Sequence, residues 1–172
     1  MRAVDDSFRS VRPAYRIMEE NSVSYEEALR LTESHPADPR AFALLLAAEG
    51  RGDPRAKYAL ATWYLHGTDL VSRDIPKGIQ LLKSIKNSNI AEALFDLAVA
   101  YDLGKGCKKN SRLAFELYFE SALLGDPDAC FQISEYFRAG EHVPHNKRIA
   151  SLWLNRSRKP AAEISPSFRL SL

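Results

Sequence analysis

The chain has 172 residues, of which 45% are hydrophobic and 27% are charged, and its formal net charge is +2. This length allows one domain with its own core, and the near-neutral charge does not indicate a chain built to bind nucleic acid or a membrane. Bases outnumber acids from Arg138 onward, but aromatic residues do not alternate with them as they do in nucleic-acid surfaces. We therefore interpret that stretch as a solvated face.

The two cysteines, Cys107 and Cys130, are too few for a disulfide scaffold, and their thiols are expected to be free. The amino-terminal sequence lacks the apolar run of a signal peptide, and no later stretch approaches the ~20 apolar residues of a membrane span. The sequence therefore predicts a cytoplasmic protein without a membrane segment, and we expect no cofactor and no metal.

An arm and a degenerate helix pair are predicted for the first 51 residues. Residues 1–23 have only a weak helical periodicity, which favours an arm or a loosely docked helix. Residues 24–27 form a capping-box pattern, Ser-Tyr-Glu-Glu, at the start of a helix. Asp38-Pro39 opens a second helix, which Gly50 closes. We interpret residues 24–51 as a pair that caps the helices that follow.

Three similar segments follow, over residues 52–88, 89–124 and 125–158, and each is predicted to contain two helices. The first and third begin with Gly-Asp-Pro, in which the aspartate caps the helix and the proline occupies its first position. The pattern ends at Lys159-Pro160. Residues 159–172 are expected to form a tail that either caps the last segment or docks on another chain.

The segments match position by position, with spacings of 37 and 36 residues. The matching sets are Ala56, Ala93 and Ala129; Leu60, Leu97 and Ile133; Tyr64, Tyr101 and Phe137; and Gly67, Gly104 and Gly140. The alanines allow close helix packing, the rings fill the wedge between paired helices, and the glycines can adopt the left-handed conformation that ends a helix. One helix pair cannot bury both of its faces, so such copies are predicted to stack into a solenoid.

These repeats resemble the Sel-one-like repeat family, the short relatives of tetratricopeptide repeats, over about residues 52–158. The resemblance rests on the segments GDPRAKYALATWYLHG at 52–67, NIAEALFDLAVAYDLGKGCKKNSRLAFELY at 89–118 and GDPDACFQISEYFRAGEHVPHNKRIASLWL at 125–154. Departures from the family pattern occur at Gly78, Asn89, Cys107, Asn110 and Asn146. The resemblance implies an all-α fold, a tetratricopeptide-like α-α superhelix of stacked antiparallel helix pairs. A non-repetitive helical bundle is the alternative architecture.

The resemblance also implies function: a non-enzymatic adaptor or regulator that binds a protein or peptide segment in the concave groove of the solenoid, which the first helices of the pairs line. The candidate partner-binding residues lie on the first helices: Tyr58, Thr62, Leu65, His66, Phe95, Val99, Asp102, Phe131, Glu135 and Arg138. Three of them, Tyr58, Phe95 and Phe131, occupy matching positions and could belong either to the wall of the repeat or to the groove. The charge of this groove is mixed, with negative charges at Asp102 and Glu135 and a positive charge at Arg138. Such a groove suits a charged extended or helical segment. We expect a bacterial protein that is a monomer or a weak homo-oligomer.

Two other functions stay open at this point: a hydrolase-type enzyme of the same repeat class, and a structural protein that self-associates through an exposed end. The enzyme is disfavoured because no histidine is spaced to activate a cysteine. A zinc site built from Cys107, His142 and His145 would lack a fourth ligand. The glycines of Gly104-Lys105-Gly106 follow a helix rather than a strand, so they do not form a phosphate-binding loop.

Overall fold

The computed structural model describes residues 25–35 and 37–159, so the predicted arm over 1–23 and most of the tail lie outside the described residues. The chain divides into two compact units, residues 1–73 and 74–172, and each is treated by itself below. Within the described ranges the chain forms eight α-helices and no strand. None of these helices is both long enough and apolar enough to cross a membrane.

The first unit contains three helices, α1 (25–34), α2 (Pro39–Gly50) and α3 (Pro54–His66). Asp38 and Asp53 cap α2 and α3 as predicted, since each carboxylate accepts the backbone N–H of the arginine two residues later at 2.9 Å. Phe42 on α2 stacks on Trp63 on α3, with ring centroids 5.9 Å apart. The buried apolar residues of this unit are Ala28, Ala41, Leu45, Ala48, Ala56, Leu60, Ala61, Tyr64 and Val71.

The second unit contains five helices, α4 (Ile75–Ser84), α5 (Ala91–Leu103), α6 (Ser111–Leu124), α7 (Pro127–Ala139) and α8 (Lys147–Ser157). Helix α5 packs on α6 and α7 packs on α8, while α4 also contacts α5 and α6 also contacts α7. The buried hydroxyl of Ser121 donates to the carbonyl of Ala91 at 2.7 Å and so fastens α6 to the start of α5. The repeat pattern does not predict that bond.

The repeated small and apolar positions are buried as predicted. Ala56, Ala93 and Ala129 are at most 2% exposed, and Leu60, Leu97 and Ile133 are at most 1% exposed. Gly104 and Gly140 end α5 and α7 in the left-handed conformation, with φ of 68° and 74°. Gly67 also has a positive φ, 79°, but its ψ of 154° leads into the longer loop of the first copy.

The structure corrects the predicted wedge aromatic in two of the three copies. Tyr64 is buried, but Tyr101 and Phe137 are only partly buried. In α7 the buried ring is instead Tyr136, which forms a T-shaped pair with Phe115 on α6, with centroids 5.1 Å apart. Neighbouring residues of a helix point roughly 100° apart, so a shift of one residue changes which helix the ring reaches.

The cap of α7 makes a testable prediction about pH. Burial raises the pKa of Asp126, and the negative charges of Asp128 and Glu92 add to this effect, although its carboxylate accepts the Ala129 N–H at 2.7 Å. The folded-state pKa of Asp126 therefore lies above the unfolded value of roughly 3.9, and the folded chain binds this proton more tightly than the unfolded chain does. The protonated carboxyl group contributes stability that is fully present in acid and is lost as the pH rises through the folded-state pKa. Asn keeps the capping acceptor and does not ionise. We therefore expect the melting temperature of Asp126→Asn, relative to the wild type, to rise between pH 3 and pH 6.

Asp38 provides the matched control with the opposite sign. Its hydrogen bonds with the side chain and backbone N–H of Arg40 lower its pKa to about 2, so its stabilisation is present above the unfolded pKa and is lost in acid. Asp38→Asn should therefore lose melting temperature relative to the wild type as the pH rises over the same interval. Thermal unfolding followed by circular dichroism measures the melting temperatures of both variants. If their differences from the wild type change with pH in the same direction, the opposite pKa shifts of Asp126 and Asp38 are wrong.

Candidate partner-binding surface

The first helices of the second unit divide their side chains between two faces. One face of α5 and α7 carries the fully buried residues that pack the repeats, such as Leu97 and Ile133. The other carries predicted partner-facing residues: Val99 is half-buried, as is Glu135, and the side chain of Phe131 is 44% exposed. A helix that only closed a core would have a polar outer face, but Phe131 on α7 and Leu103 at the end of α5 are both exposed.

The corresponding residues of the first unit lie on α3. Tyr58, Thr62 and Leu65 are half-buried and His66 is exposed at the last position of the helix. The Thr62 hydroxyl donates to the Ala59 carbonyl at 2.8 Å, so its hydrogen-bonding capacity is largely used within its own helix. The half-buried Leu65 and the exposed His66 therefore offer much of this surface in the first unit.

The predicted mixed charge of the groove needs a correction. On α7 the Arg138 guanidinium donates to the Glu135 carboxylate one helical turn away, so these two charges largely neutralise each other. Asp102, in the last turn of α5, makes no hydrogen bond and no ion pair in the part of the chain that the structure describes. The open charge among the predicted residues of α5 and α7 is therefore negative rather than mixed.

Phe95 belongs to the wall of the second unit. Its ring packs against Tyr118 of α6, with centroids 5.5 Å apart. Tyr118 lies 6.3 Å from Tyr136 of α7, and Tyr136 contacts Phe115, as described above. His142, in the loop after α7, completes the group at 5.8 Å from Tyr136. This aromatic cluster links three helices, and Phe95 is the one member of it that was among the predicted partner-binding residues.

Two phenols of the same cluster have raised pKa values. Burial raises the pKa of Tyr118 well above its ordinary value, and the negative charge of Asp102 raises it further. Burial also raises the pKa of Tyr136 to about 12, with Asp102 and Glu141 contributing in the same direction. Both phenols therefore stay protonated at neutral pH, and Asp102 lies near enough to act on rings from α6 and α7.

The side chains considered for zinc are engaged separately. The Cys107 thiol contacts the Ala100 carbonyl at 3.5 Å, and a ring nitrogen of His145 hydrogen-bonds to the Arg138 carbonyl at 2.7 Å. His142 packs on the aromatic cluster. Over residues 25–35 and 37–159, no three His, Cys, Asp or Glu side chains are grouped so that they could hold a metal ion.

Cys130 has the environment of a core residue. It is fully buried, and its thiol contacts the Ala122 carbonyl at 3.7 Å. Burial raises the pKa of this thiol, although the neighbouring Arg156 acts in the opposite direction. A nucleophilic cysteine needs a lowered pKa and access to substrate, and Cys130 has neither.

Comparison with known proteins places these repeats in a family. A sequence model of the Sel1 repeat matches residues 54–86, 91–126 and 127–158. Among curated proteins, the chitin synthase regulator SKT5 of Saccharomyces cerevisiae is 32% identical over 73 residues, which are 42% of this chain. The chain spans about a tenth of that relative's length.

Two solved structures show the fold. A Sel1 repeat protein from Oxalobacter formigenes matches with a TM-score of 0.70 and 19% identity, over 80% of this chain and 55% of its own. A protective antigen of uropathogenic Escherichia coli that displays an SLR fold matches with a TM-score of 0.72 and 18% identity, over 94% of this chain and 34% of its own. They confirm the predicted class, an all-α, α-α superhelix. Since the family model matches more than half of the residues, the chain belongs to the Sel1 repeat family.

Proposed function

We propose that this chain is a non-enzymatic interaction module that binds a segment of a partner protein on the face of its first helices that does not pack against the neighbouring helices. Members of the Sel1 repeat family are typically protein-interaction modules and generally non-catalytic scaffolds. The observation that carries the proposal is the division of α5 and α7 into a fully buried packing face and a second face on which Val99, Asp102 and Phe131 remain accessible. Exposed aromatic and aliphatic side chains beside an open charge suit a protein ligand.

The state of the cysteines weighs against the hydrolase alternative. Cys130 is buried with a raised pKa, and Cys107 contacts a backbone carbonyl. The cytoplasmic location and the bacterial origin remain part of the proposal.

A peptide selection tests the proposed function with a defined probe. Random dodecapeptides displayed on phage are selected on the immobilised full chain, and the affinity of enriched peptides is measured by fluorescence polarisation. We expect Phe131→Ala to weaken binding about tenfold, because truncating a contacting aromatic removes roughly 1–2 kcal/mol. Glu120→Gln on α6, an exposed residue outside the proposed face, is the control and should bind within twofold of the wild type.

The outcomes separate this proposal from adventitious binding. Enriched peptides that bind equally well to the wild type and Phe131→Ala, but not to Glu120→Gln, would move the site away from the first helices. A selection in which no peptide exceeds the background of an uncoated surface would overturn the proposal.

Self-association is the second candidate function, because one apolar side chain of α8 is unusually open. Leu152 is 62% exposed, the largest exposed fraction among the large apolar residues of the described ranges. If α8 mediates assembly, multi-angle light scattering should show a mass that rises with concentration, and Leu152→Ser should restore the monomer mass. A monomer mass for the wild type at every concentration would remove this candidate.

A further inference from the structure

Asp102 occupies a position where a carboxylate is unfavourable in the isolated chain. It lies in the last turn of α5, where the partial negative charge of the helix end opposes a negative side chain. It is half-buried, and neither a hydrogen bond nor an ion pair offsets its charge among the residues that the structure describes. A charge in such a place is more stable when a cation from outside the chain pairs with it.

The charge of Asp102 also acts on two tyrosine hydroxyls, those of Tyr118 and Tyr136. The side chains of Tyr118 and Tyr136 are only 3% and 8% exposed, and their ring centroids are 6.3 Å apart. Within the described ranges neither hydroxyl makes a hydrogen bond, and neither is sealed from solvent. Each tyrosine therefore buries its ring and leaves its polar tip available to a ligand.

Helix α7 offers Asp102 no unpaired positive charge. Arg138 is paired with Glu135, and Glu141 adds a second negative charge that acts on Tyr136. His142 lies 3.6 Å from Glu141 with its ring against Tyr136. Hydrogen-bond acceptors and negative charge therefore predominate around the two hydroxyls, which disfavours a phosphate or a nucleic acid as ligand.

We propose that Asp102 and the hydroxyls of Tyr118 and Tyr136 form an anchor for an arginine side chain of the partner segment. The inference rests on the proposed function and narrows it to a basic ligand. A guanidinium presents several N–H donors in one plane, which matches a carboxylate flanked by hydroxyl acceptors. Its flat face also packs on aromatic rings, which a lysine ammonium does less well.

The selected dodecapeptides provide the test. We expect arginine to be enriched at one fixed position, and replacing it with glutamine to weaken binding to the wild type about tenfold. Asp102→Asn should also bind the arginine peptide about tenfold more weakly, whereas Glu120→Gln should stay within twofold. The arginine-to-glutamine change in the peptide should weaken its binding to Asp102→Asn much less than its binding to the wild type, because the variant has already lost the interaction. Replacement by lysine should retain part of the affinity.

A structural role of Asp102 is tested by the same variant. If Asp102 serves only the ligand, Asp102→Asn should melt no lower than the wild type, because an unfavourable charge has been removed. Peptides that bind the first-helix face without a basic residue, or that bind Asp102→Asn as tightly as the wild type, would overturn the arginine anchor and leave the proposed function intact. Failure to enrich any peptide would overturn both.

Discussion

Replacing Gly106 with alanine is expected to lower the free energy of unfolding by about 2–5 kcal/mol. Gly106 follows α5, and its φ of 69° lies in the left-handed region, which costs an L-residue with a side chain roughly 1–2 kcal/mol. A Cβ atom there would also come within 2.7 Å of Ile75 Cγ2 and 3.0 Å of Ile79 Cγ1. Both isoleucines lie on α4, and moving them from their packed positions adds about 1–3 kcal/mol.

Gly50→Ala is the matched control for Gly106→Ala. Gly50 is the last residue of α2, it has no positive φ, and a Cβ added to it would meet no atom within 4 Å. Urea denaturation should leave this variant within about 0.5 kcal/mol of the wild type, or make it slightly more stable. Equal stabilities of the two variants would mean that the loop after α5 does not pack on α4.

Replacing Ala129 with leucine is expected to lower the free energy of unfolding by about 2–3 kcal/mol. Ala129 is fully buried on α7, at the position that every copy fills with alanine. Three additional carbon atoms have no free volume there, so α7 must move away from its neighbours or force strained rotamers. The position tests directly why the repeat uses a small residue.

The same substitution at the end of α7 controls for helix propensity. Ala139 is exposed at the last position of the helix, so Ala139→Leu changes the same side chain without burying it. Chemical denaturation should place Ala139→Leu within about 0.5 kcal/mol of the wild type. If Ala129→Leu is equally well tolerated, the alanine is not a close-packing position and the interpretation of the repeat is wrong.

The fold could be predicted because its signals are local or periodic. Asp38, Asp53 and Asp126 cap their helices within one turn of chain, so their role is visible in a short window of sequence. The buried alanines and leucines recur with the length of the repeat, since each copy must pack on the next one in the same way. The proposed boundaries of the capping pair and of the three segments stay predictions.

The aromatic cluster could not be predicted because it depends on contacts between helices. The alignment matches Phe137 with Tyr101, but the ring that contacts α6 is Tyr136, which forms a T-shaped pair with Phe115. The bond from Ser121 to the Ala91 carbonyl likewise joins residues 30 positions apart. Neither choice follows from the repeat period, which records what all copies share rather than what distinguishes one of them.

The candidate surface was only partly predictable for a similar reason. Its residues follow from the helix period, but their net charge depends on which side chains pair. Glu135 and Arg138 are three residues apart and neutralise each other, whereas Asp102 has no partner among the described residues. A sum of formal charges over the predicted residues therefore describes the surface as mixed, although its open charge is negative.

Chemical-shift mapping on the full chain tests the central claim most directly. Amide spectra of the isotope-labelled protein are recorded while a selected dodecapeptide is added. If the first helices bind the partner, the largest shift changes should fall at Val99, Asp102, Phe131 and Glu135, with small changes at Glu120 on α6 and Leu152 on α8. Changes concentrated at Glu120 and Leu152, with the α5 and α7 signals unmoved, would contradict a partner-binding face on the first helices.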